Sequence, residues 1–301
     1  MPWNRQKTDE RDDSMNKKSI KPITRRKIHT YTRAVIQLLF FIWMPSVFTS
    51  AFSGVKYIFT QIGCGERIVM TSFLTILIVL CLYTIVFGRF FCGYACAFGS
   101  LGDAVRSLYT CVCKKLKKKP CTLKGTWLKG LSLLKYIVLL VVIGMCFKGI
   151  YGQTRGTDPW EVFSMLRIGN LQLESYSIGA VLLLLIIVGM ALCERFFCRF
   201  LCPMGAIFAL LPALPVTGVF REKAKCLQGC SGCNRTCPAK LDIPNRNSKN
   251  VNGDCIQCGK CIDVCPKQNI RTGASWWSGN ALWYTLFRAA LLAAVLWFSG
   301  I

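Results

Sequence analysis

"RFFCGYAC" at Arg89–Cys96 returns as "RFFCRFLC" at Arg195–Cys202. Each copy stands directly after a long apolar run, so the repeat marks equivalent ends of two similar halves. Five runs approach the roughly 20 apolar residues that cross about 30 Å of hydrocarbon: 34–52, 68–87, 131–147, 178–193 and 281–298. The first two are expected to form one hairpin and the next two another, each ending in the motif. The motif-bearing runs point the same way, which makes this a duplication of parallel sense. Repeats of this kind place a shared site at their interface.

The 301 residues are 53% hydrophobic and carry a formal charge of +24. Soluble domains rarely combine the two, and here they separate along the chain, as in a membrane protein with basic flanks. About thirty polar residues precede the first run, which is too long for a signal-peptide core, so it is expected to stay as an anchor. Taking 1–33, 88–130 and 194–280 as one side gathers 31 of the 38 Lys and Arg, including "KKLKKK" at Lys114–Lys119. The excess of positive charge makes that side cytoplasmic. The lysine run reads as a topology signal drawn to anionic lipid rather than as a nucleic-acid site. Trp276, Trp277 and Trp283 at one end of the last run and Trp297 at the other suit two membrane interfaces. Arg288 inside that run must snorkel, pair or face the bundle.

Nineteen cysteines are too many to be incidental, and a cytoplasmic setting favours metal or redox chemistry over disulfides. "CIQCGKCIDVCP" holds Cys255, Cys258, Cys261 and Cys265 in the spacing that wraps three thiolates around one cubane and sends the fourth to a neighbouring one. Structural zinc sites pair C-x2-C units instead. "CLQGCSGCNRTCP" is a relaxed version with Cys226, Cys230, Cys233 and Cys237, in which Gly229 and Gly232 free the backbone to bend. Cross-ligation predicts one [4Fe–4S] cluster on Cys226, Cys230, Cys233 and Cys265, and a second on Cys255, Cys258, Cys261 and Cys237.

In the repeated motif, Cys92 and Cys96, like Cys198 and Cys202, are one helical turn apart and project from one face. If the halves pack together, four thiolates converge at the membrane boundary. Such a set suits a third iron–sulfur cluster or Zn²⁺; the alternative is four small buried apolar side chains. Arg89 and Arg195 read as interfacial snorkellers, or else as charge partners for an anionic cluster. Cys111, Cys113 and Cys121 form a weak pattern and are expected to be free thiols. His29 is the only histidine, which excludes bis-histidine haem, and neither a G-x-G-x-x-G fingerprint nor a P-loop occurs.

On these motifs the chain resembles the membrane iron–sulfur proteins that accompany periplasmic nitrate reductase and nitrous-oxide reductase, the NapH and NosR types. Cys198, Cys202 and Pro203 match the second C-x3-C-P of that family, Cys92 and Cys96 its first, and the eight later cysteines its cluster ligands. Ala97 stands where the family usually has Pro, and the large extracytoplasmic flavin-binding domain of the NosR type is absent. The resemblance implies electron transfer between the quinone/quinol pool and a redox protein partner, a reductase or flavoprotein.

The expected architecture is an α-helical integral membrane protein of a bacterial cytoplasmic membrane. Duplicated two-helix hairpins give four to five transmembrane helices, with a cytoplasmic two-cluster, bacterial-ferredoxin-like segment. Its divisions are a basic arm (1–33), a first membrane hairpin (34–111), a basic loop (112–130), a second hairpin (131–220), the ferredoxin-like domain (221–275) and a final helix (276–301). No catalytic dyad or nucleotide site is present, so the expected role is a relay subunit of an oxidoreductase system. An assembly factor supplying electrons for metal loading and a membrane redox sensor are the alternatives. "TDPWEVF" at Thr157–Phe163 reads as a docking or quinone-end segment, or as a loop anchored at the interface by its Trp.

Overall fold

The computed structural model describes residues 22–121, 127–153, 156–169, 176–212, 214, 218–243, 252–273 and 281–300. Most of the basic arm, and the expected anchors Trp276 and Trp277, lie outside the described residues. The chain is mostly helical.

The first apolar run is divided between two helices, α1 (Pro22–Trp43) and α2 (Val47–Cys64), which meet at 61°. Pro45 accounts for the break, since it has no N–H to donate and its ring clashes with the carbonyl one turn back. The expected span at 34–52 is therefore not one continuous helix. Helix α3 (Ser72–Phe87) starts where the Thr71 hydroxyl accepts from the Leu74 N–H at 3.4 Å and stops at Gly88, whose φ of 65° ends the run. The chain then bends by 97° into the short α4 (Phe90–Tyr94) and the longer α5 (Ala97–Lys115).

The second half begins with α6 (Trp127–Leu131), α7 (Leu134–Phe147) and α8 (Pro159–Ile168). Helix α9 (Ser177–Leu192) leads to one turn of π-helix at Phe197–Leu201 and then α10 (Pro203–Leu210). Helices α7 and α9 were expected to pair as a hairpin, yet their main partners lie elsewhere. Helix α7 packs on α2 and α10, whereas α9 packs on α5 and α8, so the halves interlock. Trp160 is buried with its ring 5.0 Å from that of Phe52, edge to face. The 157–163 stretch is thus tied into the core, and Trp160 is not an interface anchor.

Helices α7 and α9, with 14 and 16 residues, span only about 21 and 24 Å at 1.5 Å per residue. Among the described residues one helix, α13 (Ala281–Phe298), is long and apolar enough by itself to cross a bilayer, or up to three if each bent pair is one span. Arg288 within α13 faces inward and is 1% exposed.

The ferredoxin-like segment is closed by a two-stranded antiparallel ribbon. Strand β1 (Gly218–Arg221) pairs with β2 (Ile270–Gly273), with Val219 opposite Thr272. Between them, α11 (Gly232–Thr236) packs on α12 (Lys260–Val264). Val219, Ile243, Ile262 and Ile270 form a small core with Cys233, Cys255, Cys261 and Cys265 packed against it.

Candidate metal centre

The two motif copies reach across to each other through their arginines. Arg195 donates to the carbonyls of Cys92 (2.5 Å) and Gly93 (3.0 Å) in the other copy. Its guanidinium fills the space beside Gly99, where a Cβ would collide with it. Arg89 makes the matching approach to Gly205, whose Cβ position lies 3.1 Å from Arg89 Nη2 and 3.1 Å from the Cys198 carbonyl. Gly99 and Gly205 each follow their copy's second cysteine by three residues. Both arginines are 4% exposed, so they are charge partners buried in the interior and not interfacial snorkellers. A buried guanidinium without compensation is costly; here each finds a carboxylate.

Asp103 on α5 takes Arg195 (2.5 Å) and Arg33 (2.5 Å), with the Gln37 amide at 2.8 Å. Burial alone would raise this carboxyl, but Arg195 and Arg33 overturn that and hold it at about 2. The equivalent place in the second half is occupied by Ala209, and the ferredoxin-like segment supplies what is missing. Gly253 lies directly on the Ala209 carbonyl, 2.6 Å from its Cβ position, which leaves no room for a side chain. The next residue, Asp254, receives Arg89 (3.2 Å) and Lys135 (2.5 Å).

This arrangement collects the four boundary thiols. Cys92, Cys96, Cys198 and Cys202 are all buried, and every pairing among them lies within electrostatic reach. Phe90, Phe91 and Phe197 wall them as fully buried rings, with Phe196 partly buried beside them. A second quartet forms in the same way: every pairing among Cys237, Cys255, Cys258 and Cys261 is within reach. These are the four residues expected to share a cluster, with Cys237 arriving from the other run. Burial pushes the Cys255 thiol up to about 12 and raises those of Cys237 and Cys261. Metal loading at such thiols releases their protons.

The remaining expected set is looser. Cys233 and Cys265 pack on the same small core, while Cys226 and Cys230 are exposed. Among the described residues no three Cys, His, Asp or Glu side chains close tightly enough to hold a single metal ion. Cys111 and Cys121 are exposed and Cys113 is buried.

Both motif copies also grip the second quartet. Gly93 permits the Ile256 carbonyl to approach, since any Cβ there would strike it, and the buried Gln257 side chain lies against Gly88. From the second copy, Arg199 donates to the Pro238 carbonyl (3.4 Å), and Glu194 pairs with Lys260 (2.7 Å). Arg89 acts electrostatically on Cys92, Cys198, Cys202 and Cys255, and Arg195 on Cys198 and Cys258. Each guanidinium thus acts on thiols of both quartets. Asp103, Asp254, Gln257 and Lys135 were missed by sequence reasoning. An isolated acid before the "CIQC" run was the available signal for Asp254.

The 4Fe-4S binding domain family matches residues 69–120 and 178–217, which contain the two motif copies. The 4Fe-4S dicluster domain family matches residues 218–266. An uncharacterised protein of Methanocaldococcus jannaschii is 27% identical over 78% of this chain and 83% of its own. The ferredoxin-type protein NapH of Escherichia coli is 24% identical over 67% of this chain and 68% of its own. The regulatory protein NosR of Pseudomonas aeruginosa is 25% identical over 58% of this chain and 24% of its own. No solved structure matches the chain. With its repeated boundary motif and its two cysteine runs, the chain is similar to the NapH/NosR-type ferredoxin-type iron–sulfur proteins and carries matches to two 4Fe-4S domain families.

Proposed function

We propose that the protein relays electrons between the membrane quinone pool and a redox protein partner through three [4Fe–4S] clusters. The ligand sets are Cys92, Cys96, Cys198 and Cys202 at the membrane boundary; Cys237, Cys255, Cys258 and Cys261; and Cys226, Cys230, Cys233 and Cys265. The observation that carries this reading is the pair of buried guanidinium groups that each act on thiols of both quartets. A cubane held by four thiolates is a net anion that supplies reversible one-electron chemistry. Arg89 and Arg195 provide positive charge that acts on two such anions, which favours their reduced forms. The residues that carry the boundary thiols fall in matches to the 4Fe-4S binding domain family, which supports a cubane over one tetrahedral zinc ion.

The apolar surface supports a membrane setting. Leu38, Trp43, Leu82, Leu140, Leu184 and Trp297, on five helices, are each more than half exposed. So much exposed apolar bulk on so many helices suits lipid better than water. The basic flanks support a cytoplasmic position for the ferredoxin-like segment. The eight cysteines of that segment account for about eight irons and eight sulfides, and the boundary quartet adds about four of each. Iron and acid-labile sulfide counts on anaerobically purified protein test the number. Reduction of the clusters by a quinol under the same conditions tests the role. Zinc without labile sulfide, or no reduction by any quinol, overturns it.

A further inference from the structure

We infer that a cavity beside Cys258, between α1, α12 and the first turns of α13, binds the head group of a quinone or quinol. This rests on the electron-transfer reading above and gives its diffusible partner a place to dock. The cavity measures about 90 Å³ and is lined by His29, Arg33, Tyr94, Cys258, Thr272 and Arg288, among others. That is room for several waters or one substituted ring.

Four of its lining residues carry a buried polar atom with no hydrogen bond in the protein: Arg33 Nε, Asp263 Oδ1, Thr272 Oγ1 and Arg288 Nε. Of these, Asp263 Oδ1 is an acceptor already facing His29 Nδ1, which leaves two guanidinium donors and a hydroxyl for a ligand. Arg33 and Arg288 are more than nine-tenths buried. Buried donors left unmade are expensive, and here they belong to residues around one space. They call for a ligand with acceptor oxygens, as a quinone carries at opposite ends of its ring. Most of the charge in the wall is already balanced. Arg33 pairs with Asp103 (2.5 Å), Lys260 with Glu194 (2.7 Å) and His29 with Asp263 (2.7 Å). Arg288 lies over the rings of Phe90 (4.5 Å) and Tyr284 (4.4 Å). A neutral ring with polar ends fits this wall better than a multiply charged phosphate.

The surroundings offer the rest of an amphiphile's needs. A groove of about 530 Å³ shares Thr30, Arg33 and Lys260 with the cavity and runs on past Leu38, Phe41 and Leu101. Those three side chains offer an isoprenoid tail apolar contact along α1, in a groove whose other walls include Gln37, Asp103, Arg106 and Glu194. Cys258 in the cavity wall sets the ring beside the second thiol quartet.

The test measures binding of a short-tailed ubiquinone to the purified, cluster-loaded full chain, for the parent, Thr272→Val and Thr272→Ser. Removing the hydroxyl without changing shape is expected to weaken binding about tenfold, with Ser restoring most of it and iron content unchanged in both. Equal affinity in all three overturns the site, as does competition by inorganic phosphate at the same place. Filling the groove instead, by Leu101→Trp, is expected to weaken a long-tailed quinone and spare the short one. Loss of the short one alone would move the head group into the groove and also overturn the proposal. Quinone that binds as expected while quinol reduces no cluster would sink the electron-transfer reading and leave the site standing. Quinol reduction untouched by Thr272→Val would sink the site and leave that reading standing.

Discussion

Asp254 joins two parts of the chain that are far apart in sequence. It gives Arg89 the carboxylate that Arg195 finds in Asp103, and it holds Lys135 as well. Asp254→Asn leaves two buried cations facing each other. A fully buried pair broken in this way costs about 3–5 kcal/mol; Asp254 is 41% exposed, so solvent screening reduces the loss to about 1–2 kcal/mol. Thermal unfolding in detergent is expected to show that drop, with the second quartet's cluster becoming more labile. The glycines give a sharper test. Gly99→Ala drives a methyl into Arg195 and to 2.8 Å from the Cys92 carbonyl, so it is expected to lose the boundary cluster while the ferredoxin-like segment keeps its iron. Asp103 sets a pH limit. Its carboxyl is depressed from 3.8 to about 2, so its contribution is full above pH 3.8 and disappears as pH falls through 2. Asp103→Asn is expected to flatten acid unfolding in that window. The cysteines were legible because cluster ligands keep strict local spacing. The burial of Arg89 and Arg195 was not, because each counter-charge comes from another element that no local pattern announces.

At the scale of elements, the apolar runs were legible as apolar but not as continuous helices. Pro45 cuts the first, and α7 and α9 exchange the expected hairpin for partners in the other half. Pairing of this kind depends on which faces fit, and apolar runs with little periodicity say nothing of faces. Helix α13 reads differently again. Its arginine is held by the Gln257 side chain and by two aromatic rings, and Tyr83 donates to the Arg288 carbonyl at 2.9 Å. The helix therefore clamps the loop that carries Cys255 and Cys258. Arg288→Met keeps the bulk and removes the donors, and it is expected to leave iron content near normal while shifting the paramagnetic resonance signal of the second cluster. If α13 crosses the membrane, a thiol tag after Ile301 is labelled from the side opposite the ferredoxin-like segment. Labelling from the same side would make α13 an interfacial helix.

Across the whole molecule, sequence distance and spatial order run against each other. The two motif copies meet, the ferredoxin-like segment docks on their junction, and two buried arginines act on thiols of both quartets. Neither motif copy holds four ligands, so a boundary cluster needs both halves, and this accounts for a chain that carries the motif twice. Cys226 and Cys230, in the remaining cysteine set, are exposed at the surface of the ferredoxin-like segment. The central claim is that the repeat builds a cluster site. Iron counting and paramagnetic resonance on Cys96→Ser combined with Cys202→Ser, beside the parent protein, test it most directly. Loss of about four irons and of one signal, with the ferredoxin-like clusters retained, is the expected result. A double variant that keeps every iron and every signal would contradict it and reduce the repeat to a packing device.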